Sequence, residues 1–259
     1  MSKVEDFFNR NQIGNEGLEL PYVHSTQSYN IEKILRDSSL KPSHCPEFEE
    51  ELLYFFRGRP AYKQSSEGEE ASHWQLPTCF LYDSLPDIAG ARTYPFDSGA
   101  FKQGRYPSYI RLMPLEEFEL VGNFSSDRIV EAFFGDIESY LNGDAKTEQE
   151  FSENYTVSAF DAEVMALRRL ASDGTPKSFD DRRFTIEVQT KNRIDFEENP
   201  PSAVILPTIY LGNEKVRSAL DRWDAAPITY DVHAQSLDLY YGVIFQKYLD
   251  YLRESEVLR

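Results

Sequence analysis

The sequence predicts an α+β fold with largely antiparallel sheets and flanking helices. Strand-like runs and helix-like segments alternate irregularly along the chain, without the regular βαβ order of a doubly wound protein. The 259 residues are 41% hydrophobic and 14% aromatic, which is enough apolar material for a core without disulfides or a structural metal. We therefore expect a single compact domain over residues 1–259.

Helices are predicted where apolar residues recur at intervals of three and four positions, often behind a capping residue. The predicted segments are 31–36 behind Asn30, 48–56, 127–141, 160–171 and 237–252. The last segment carries an aromatic stripe of Leu237, Tyr240, Tyr241, Ile244, Phe245, Tyr248 and Leu252. Such a stripe indicates a C-terminal helix that faces either the core or a protein partner.

Strands are predicted where β-branched and aromatic residues cluster between turn-forming residues. The predicted segments are 76–82, 107–113, 118–122, 183–189, 202–211 and 227–231. Within RFTIEVQ, residues 183–189, apolar and polar residues alternate, so Glu187 lies on the polar face. Two interpretations fit this alternation. In the first, the strand lies at a sheet edge with its polar face half-exposed to solvent, which is a structural role. In the second, the polar face lines a cleft and Glu187 has a functional role.

Several classes of protein are disfavoured by what the sequence lacks. It contains no GxGxxG, GxxxxGK[ST], GxSxG or HExxH motif, so nothing supports a dinucleotide-binding dehydrogenase, P-loop, α/β-hydrolase or zincin fold. Cys45 and Cys79 occur in no metal-binding spacing, so we expect reduced thiols and no metal site. The apolar runs are too short for a membrane span and the N-terminus lacks a signal-peptide core, which predicts a cytoplasmic protein.

The charge balance restricts the ligands that the protein can bind. The 44 acidic and 27 basic residues give a net charge of -17, which disfavours an extended nucleic-acid surface. A small basic pocket that selects a small anion is still compatible with this charge. Arg57 and Arg59 are candidates for such a pocket, because they directly follow the apolar run in LLYFFRGRPAYK.

A second polar motif lies nearer the N-terminus, in PYVHSTQSYNIEKILRDSSLKP. It reads as a strand, then His24, Ser25 and Thr26, and then a helix from about residue 31. A histidine followed by two hydroxyl groups can donate and accept hydrogen bonds at once, which suits the diol of a ribose. A capped strand end with one satisfied histidine is the structural alternative.

Taken in order, these motifs resemble the ADP-ribosyltransferase fold. The similarity is to DarT-type DNA ADP-ribosyltransferase toxins and, more distantly, to RNA 2′-phosphotransferases. HST, IEKIL, SLKP and LYFFRGRPAY carry it near the N-terminus, and TIEVQTKNRIDFEENPPSAVILP has the layout found around the family's late catalytic glutamate. The segment from Ala91 to Leu112 has no counterpart in these toxins, so their specificity for DNA is not carried over.

The resemblance implies that NAD is the substrate and assigns residues to bind it. His24, supported by Ser25 or Thr26, would hydrogen-bond a ribose. Arg59 or Arg57 would bind the pyrophosphate, since the planar guanidinium pairs bidentately with phosphate oxygens and keeps its charge. Tyr62 would stack on the nicotinamide or hold the loop.

The resemblance also implies which carboxylate takes part in the reaction. Glu187 is the preferred candidate, because the catalytic glutamate of this fold belongs to a strand; Arg59 and His24 would complete the catalytic set. Its charge would stabilise an oxocarbenium-like transition state as the bond between nicotinamide and ribose breaks. Glu163, in DAEV, is the alternative, and no metal is required.

The predicted function is therefore an NAD-dependent ADP-ribosyltransferase of a bacterial toxin or phage-defence type. The acceptor stays open among DNA, RNA and protein. One alternative is an NAD glycohydrolase or an RNA-phosphate-processing enzyme on the same fold. The other is a non-catalytic interaction protein, because a fold hosts many functions.

Overall fold

The structure is a computed structural model that describes residues 1–14, 18–61, 70–85, 88, 91–121, 125–173, 181–233 and 237–258. Its helices are α1 Lys3–Arg10, α2 Ile31–Asp37, α3 Ser98–Lys102, α4 Ser108–Arg111, α5 Ser125–Phe133, α6 Ile137–Asn142, α7 Glu148–Asn154, α8 Ala162–Ser172, α9 Glu214–Trp223 and α10 Leu237–Glu254. Its strands are β1 Tyr22–Gln27, β2 Ser39–Leu40, β3 Ser43–Cys45, β4 Glu50–Arg57, β5 Pro77–Tyr82, β6 Arg92–Tyr94, β7 Leu120–Val121, β8 Glu187–Thr190, β9 Ile194–Asp195, β10 Ala203–Pro207 and β11 Ala226–Tyr230.

The chain forms two compact units, each built from separate stretches of sequence. The first unit contains Met1–Leu18, Cys45–Glu49 and Ala89–Thr190. The second contains Glu19–His44, Glu50–Ile88 and Lys191–Arg259. The assignment of residues 1–259 to a single domain stays a prediction.

The second unit is organised around strands in the order β11-β10-β5-β1-β4. β10 pairs with β11 in parallel, whereas the β10–β5, β5–β1 and β1–β4 pairs are antiparallel. β5 and β10 are buried along their whole length, which explains why PTCFLY and AVILP show little polar alternation. β1 pairs with β5 through all six of its residues, so its register is firmly set.

Helix α10 contributes its aromatic stripe to the core of the second unit. Tyr240, Ile244, Tyr248 and Leu252 are fully buried at intervals of four residues. The Tyr240 hydroxyl donates to the carbonyl of His233 over 2.6 Å and accepts from its N–H over 2.8 Å. The stripe therefore faces the core, and a protein partner bound through this helix would have to contact its other side.

The first unit combines a short antiparallel ladder with aromatic clusters. Its strands follow the order β8-β6-β7, with Tyr94 opposite Glu187 in the register. The rings of Phe96, Phe101 and Phe118 lie within 6 Å of one another, with centroid separations of 5.3, 5.3 and 5.9 Å. This cluster anchors the segment that leads from β6 into α3.

The α+β class with mostly antiparallel strands is confirmed, and most predicted elements exist. Two element types were predicted wrongly. Residues 48–56 do not form a helix, because β4 covers Glu50–Arg57 and pairs with β1; a short apolar run fits either element by pattern alone. Residues 107–113 do not form a strand, because Pro107 precedes α4 and its fixed φ suits a helix start.

Other predictions need correction in detail. The strands predicted over 183–189 and 202–211 are shorter, because β8 begins only at Glu187 and the chain after Pro207 forms a 3-10 helix. The helix predicted over 127–141 is interrupted at Gly135, which has φ +93°, and Asp136 caps the new helix α6. The polar face predicted for residues 183–189 is not solvated, since Thr185, Glu187 and Gln189 are all buried. Tertiary packing therefore covers both faces of β8.

Within the described part of the chain, no helix is both long enough and apolar enough to cross a bilayer.

Gly143 provides a test of the packing in the first unit. It ends α6 with φ +77°, and a Cβ atom added there would lie 3.0 Å from Cζ of Phe184. We expect Gly143→Ala to lower the free energy of unfolding by about 1–3 kcal/mol, through backbone strain and the clash. Urea titration followed by circular dichroism measures this change.

Gly242→Ala is the matched control for Gly143→Ala. Gly242 lies within α10 and a Cβ there would meet no atom within 4 Å. Its replacement should raise stability by roughly 0.5–1 kcal/mol, the usual gain for alanine over glycine in a helix. Equal urea midpoints for the two variants would contradict the described α6 terminus.

Candidate functional site

A cleft with a mixed polar and apolar lining opens in the second unit beside β1, α2 and β4, and we name it the His24 cleft. Its volume is about 190 Å³. The polar side chains that line it are His24, Thr26, Asn30, Lys33, Asp37, Ser39, Lys41 and Ser43. Leu52, Leu53 and Tyr54 of β4 complete the wall, so the cleft has an apolar side and a polar side.

The imidazole of His24 is held in one protonation state. Its Nδ1 atom lies 2.9 Å from the carbonyl oxygen of Tyr54, which can only accept, so Nδ1 carries the proton. Burial lowers the pKa of His24, because the charged ring would lose hydration. At neutral pH the ring is therefore uncharged, and Nε2 is a hydrogen-bond acceptor.

The alternation of β1 decides which hydroxyl joins His24 at the cleft. His24 and Thr26 are two residues apart and share a face, and both line the cleft. Ser25 points to the opposite face, where its Oγ lies 3.3 Å from Sγ of Cys79. Asn30 donates from Nδ2 to Oγ1 of Thr26 over 2.8 Å, which orients that hydroxyl. Of the two predicted hydroxyls, the structure brings Thr26 to His24.

The cations of the cleft come from residues that the motif analysis missed. Lys41 is paired with Asp37 at 2.8 Å, and this hydrogen bond is the main reason that the pKa of Asp37 is lowered. Lys33 is exposed and forms no ion pair with any residue that the structure describes. Asn30, Lys33 and Asp37 lie at helical spacing beside the His24 strand, and that spacing was the available signal.

The arginines after the apolar run of β4 lie against aromatic rings. Arg57 is 7% exposed, donates to the carbonyl of Leu20 and lies 4.3 Å over the ring of Tyr22. Arg59 is 5% exposed and lies 4.6 Å over the ring of Phe245. Neither side chain lines the His24 cleft. Tyr62 falls outside the described residues.

Glu187 lies in the first unit, where it forms a buried polar group with Ser98 and Gln189 that we name the Glu187 cluster. Its Oε1 atom accepts from Oγ of Ser98 over 2.5 Å and from Nε2 of Gln189 over 2.6 Å. Its Oε2 atom accepts from the N–H of Ser98 over 3.3 Å. The side chain is 2% exposed, so these donors replace water around the carboxyl group.

The environment of Glu187 favours the protonated carboxyl. Burial, followed by the nearby Asp97 carboxylate, raises its pKa from 4.5 to about 8. The hydrogen bonds from Ser98 and Gln189 act in the opposite direction, because they stabilise the charged form. A carboxyl whose pKa lies near neutrality is typical of a functional site, although structural networks also produce such shifts.

The segment between Ala91 and Leu112, which the resemblance left without a counterpart, supplies the partners of Glu187. Asp97 caps α3 by accepting from the N–H of Ala100 over 2.8 Å. That cap places Ser98 at the first position of α3, against Glu187. The sequence signal was the DSG triplet itself, whose polar residues precede an apolar run.

The alternative carboxylate, Glu163, lies in the first turn of α8 and is half-buried. The helix dipole favours a negative charge at this position. Glu163 makes no hydrogen bond or ion pair with the described residues, so it lacks the supporting contacts that surround Glu187. Among the described residues, no group of three or more His, Cys, Asp and Glu side chains is arranged to hold a metal ion.

Comparison of the chain with protein-family models, with curated proteins and with solved structures returned no match.

The raised pKa of Glu187 makes stability depend on pH. Between pH 4.5 and about 8 the unfolded chain has lost this proton and the folded chain retains it, so stability falls as the pH rises through this window. Glu187→Gln removes the ionisable group. We expect the variant to gain up to a few kcal/mol relative to the native protein between pH 5 and pH 8.

Urea unfolding of both proteins at pH 5, 6.5 and 8 measures this gain. Glu163→Gln is the control, because it replaces a half-buried glutamate of the same unit. A Glu187→Gln variant that loses as much stability as the native protein on going to pH 8 would contradict the buried, protonated carboxyl.

Proposed function

We propose that the protein is an NAD-dependent ADP-ribosyltransferase. In this proposal the His24 cleft binds part of NAD, and the resemblance assigns the carboxylate of the reaction to Glu187. The observation that carries the proposal is the neutral, oriented imidazole of His24 in a cleft with a polar wall, at the position where the resemblance to the ADP-ribosyltransferase fold requires a ribose-binding histidine.

The polar wall of the cleft suits a ribose. Nε2 of His24 can accept a hydrogen bond from one ribose hydroxyl, because Nδ1 is already used by the carbonyl of Tyr54. The Thr26 hydroxyl can donate to the neighbouring ribose oxygen, since it already accepts from Asn30. A diol needs donor and acceptor groups side by side, and His24 and Thr26 provide both on one strand face.

The size and charge of the cleft suit one part of NAD. Its volume of about 190 Å³ is smaller than the roughly 300–1,000 Å³ of pockets that enclose a whole small molecule, so it would hold one nucleoside portion. The exposed ammonium group of Lys33, on the rim formed by α2, is available to a phosphate. We assign the phosphate contact to Lys33, because Arg57 and Arg59 are stacked on aromatic rings.

The proposed reaction breaks the C–N bond between ribose and nicotinamide. Nicotinamide leaves with the bonding electron pair, the acceptor nucleophile bonds to the ribose carbon, and the acceptor loses its proton. A carboxylate stabilises the positive charge that develops on the ribose, and it does so more strongly in a site that excludes water. Because the charged form of Glu187 increases toward pH 8, turnover should rise with pH through neutrality.

His24→Ala tests the cleft as a binding site. We expect it to weaken NAD binding by about tenfold or more, because it removes one hydrogen bond to the ligand and part of the cleft wall. Isothermal titration calorimetry with NAD measures the loss. His233→Ala is the matched control, since His233 is exposed and lies outside the cleft, and it should bind like the native protein. Equal affinities of all three proteins would exclude the cleft.

Glu187→Gln tests the proposed chemistry. It keeps the shape of the side chain but removes the charge, so nicotinamide release at saturating NAD should fall at least about a hundredfold with little change in NAD affinity. Glu163→Gln should retain most activity, because Glu163 lies on the first turn of α8 without polar partners among the described residues.

Assays with and without candidate acceptors separate transfer from hydrolysis. Release that depends on added DNA, RNA or protein supports a transferase, and release that water alone sustains identifies a glycohydrolase. The ADP-ribosyltransferase proposal fails if Glu187→Gln turns over at the native rate. It fails equally if NAD produces neither nicotinamide nor a thermal shift in the native protein.

A further inference from the structure

The Glu187 cluster contains two buried donors that converge on a single carboxylate oxygen. Oγ of Ser98 and Nε2 of Gln189 approach Oε1 of Glu187 at 2.5 and 2.6 Å. The same Gln189 nitrogen also donates to Oγ of Ser98 over 2.8 Å. The three side chains therefore form a closed triangle of hydrogen bonds, and each of them is at most 2% exposed.

The two donors are placed by different elements of the first unit. Ser98 begins α3, where the Asp97 cap sets its position. Gln189 lies two residues beyond Glu187 on β8, so strand alternation puts both side chains on the same face. The carboxyl is thus held from its own strand and from a neighbouring helix, which restricts its rotamer more than either contact alone.

Gln189 is retained in the core at an energetic cost. Its Oε1 atom is buried and has no hydrogen-bond partner among the described residues. An unsatisfied buried carbonyl oxygen destabilises the folded state relative to an apolar side chain of the same size. Stability alone therefore does not explain why residue 189 carries an amide. The hydrogen bond from its nitrogen to Glu187 does explain it.

We propose that Ser98 and Gln189 are positioning residues that hold the Glu187 carboxyl in one orientation and favour its charged form. This inference rests on the proposed function, in which that carboxylate acts on NAD. The two residues are not assigned contacts with NAD, and they act only through Glu187.

The charged groups around the cluster make these donors necessary. Asp97 lies close enough to disfavour a second negative charge on Glu187. On β6, Tyr94 faces Glu187 in the register and donates to Glu119 over 2.8 Å, while Arg92 faces Gln189 and lies over the ring of Phe48. Without Ser98 or Gln189, burial and Asp97 would leave the carboxyl protonated over a wider pH range.

Ser98→Ala and Gln189→Met test this inference, because each removes one donor and keeps the side chain small or similar in size. The pKa of Glu187 is measured directly by carboxyl ¹³C NMR titration, with the Glu187 signal assigned from its absence in Glu187→Gln. We expect the pKa to rise by about one unit in each variant, since a hydrogen bond to a charged group is worth that much. The pH at which nicotinamide release reaches half of its maximal rate should rise by the same amount.

Two controls distinguish positioning from a structural role. Ser98→Thr keeps the hydroxyl and should restore the native pKa of Glu187. Ser126→Ala removes another buried serine hydroxyl, one that donates to Asp127 over 3.3 Å, and should leave the Glu187 titration unchanged. A cooperative urea transition of Gln189→Met verifies that this variant is folded during the titration.

The NMR titration separates this inference from the proposed function. An unchanged Glu187 pKa in both Ser98→Ala and Gln189→Met would overturn the positioning role even if the protein releases nicotinamide. A raised Glu187 pKa in both variants would support the two hydrogen bonds to its carboxyl group. If the native protein nevertheless released no nicotinamide, the transferase proposal and the catalytic role of Glu187 would both be overturned.

Discussion

The burial of one carboxyl group is the constraint on which the first unit depends. Glu187 has almost no contact with solvent, and a buried carboxylate costs several kcal/mol unless protein donors replace its water. The register of β8 against β6 and the cap that starts α3 bring those donors to it. The aromatic cluster around Phe96 then packs the segment that carries Ser98. The hydrogen bonds to Glu187 and the packing of the aromatic rings therefore both fix the segment from β6 to α3.

In the second unit, strand alternation has the corresponding role. The complete pairing of β1 with β5 sets which side chains share a face, and so it directs His24 and Thr26 to the cleft and Ser25 to Cys79. The Tyr54 carbonyl then selects the tautomer of His24. A neutral imidazole in this setting is a hydrogen-bonding group, which is compatible with recognition of an uncharged diol.

The arginines show how an acidic chain can place buried cations against its own aromatic rings. Arg57 and Arg59 end the apolar strand β4 and lie over the rings of Tyr22 and Phe245. A guanidinium group is weakly hydrated and stacks well on aromatic faces, so burial costs it less than it would cost a lysine. The lysines remain at the rim of the His24 cleft, where their ammonium groups keep water.

Local patterns were sufficient for the α+β class, for α2, for most of α8 and α10, and for β5, because hydrophobic periodicity acts over a few residues. They failed at β4, whose short apolar run fits a helix or a strand until β1 pairs with it. They identified Glu187 and His24 as candidates, but not Ser98 beside Glu187 or Lys33 at the His24 cleft. Ser98 lies 89 residues from Glu187 on a separate element, and only the packed chain determines which buried polar groups meet.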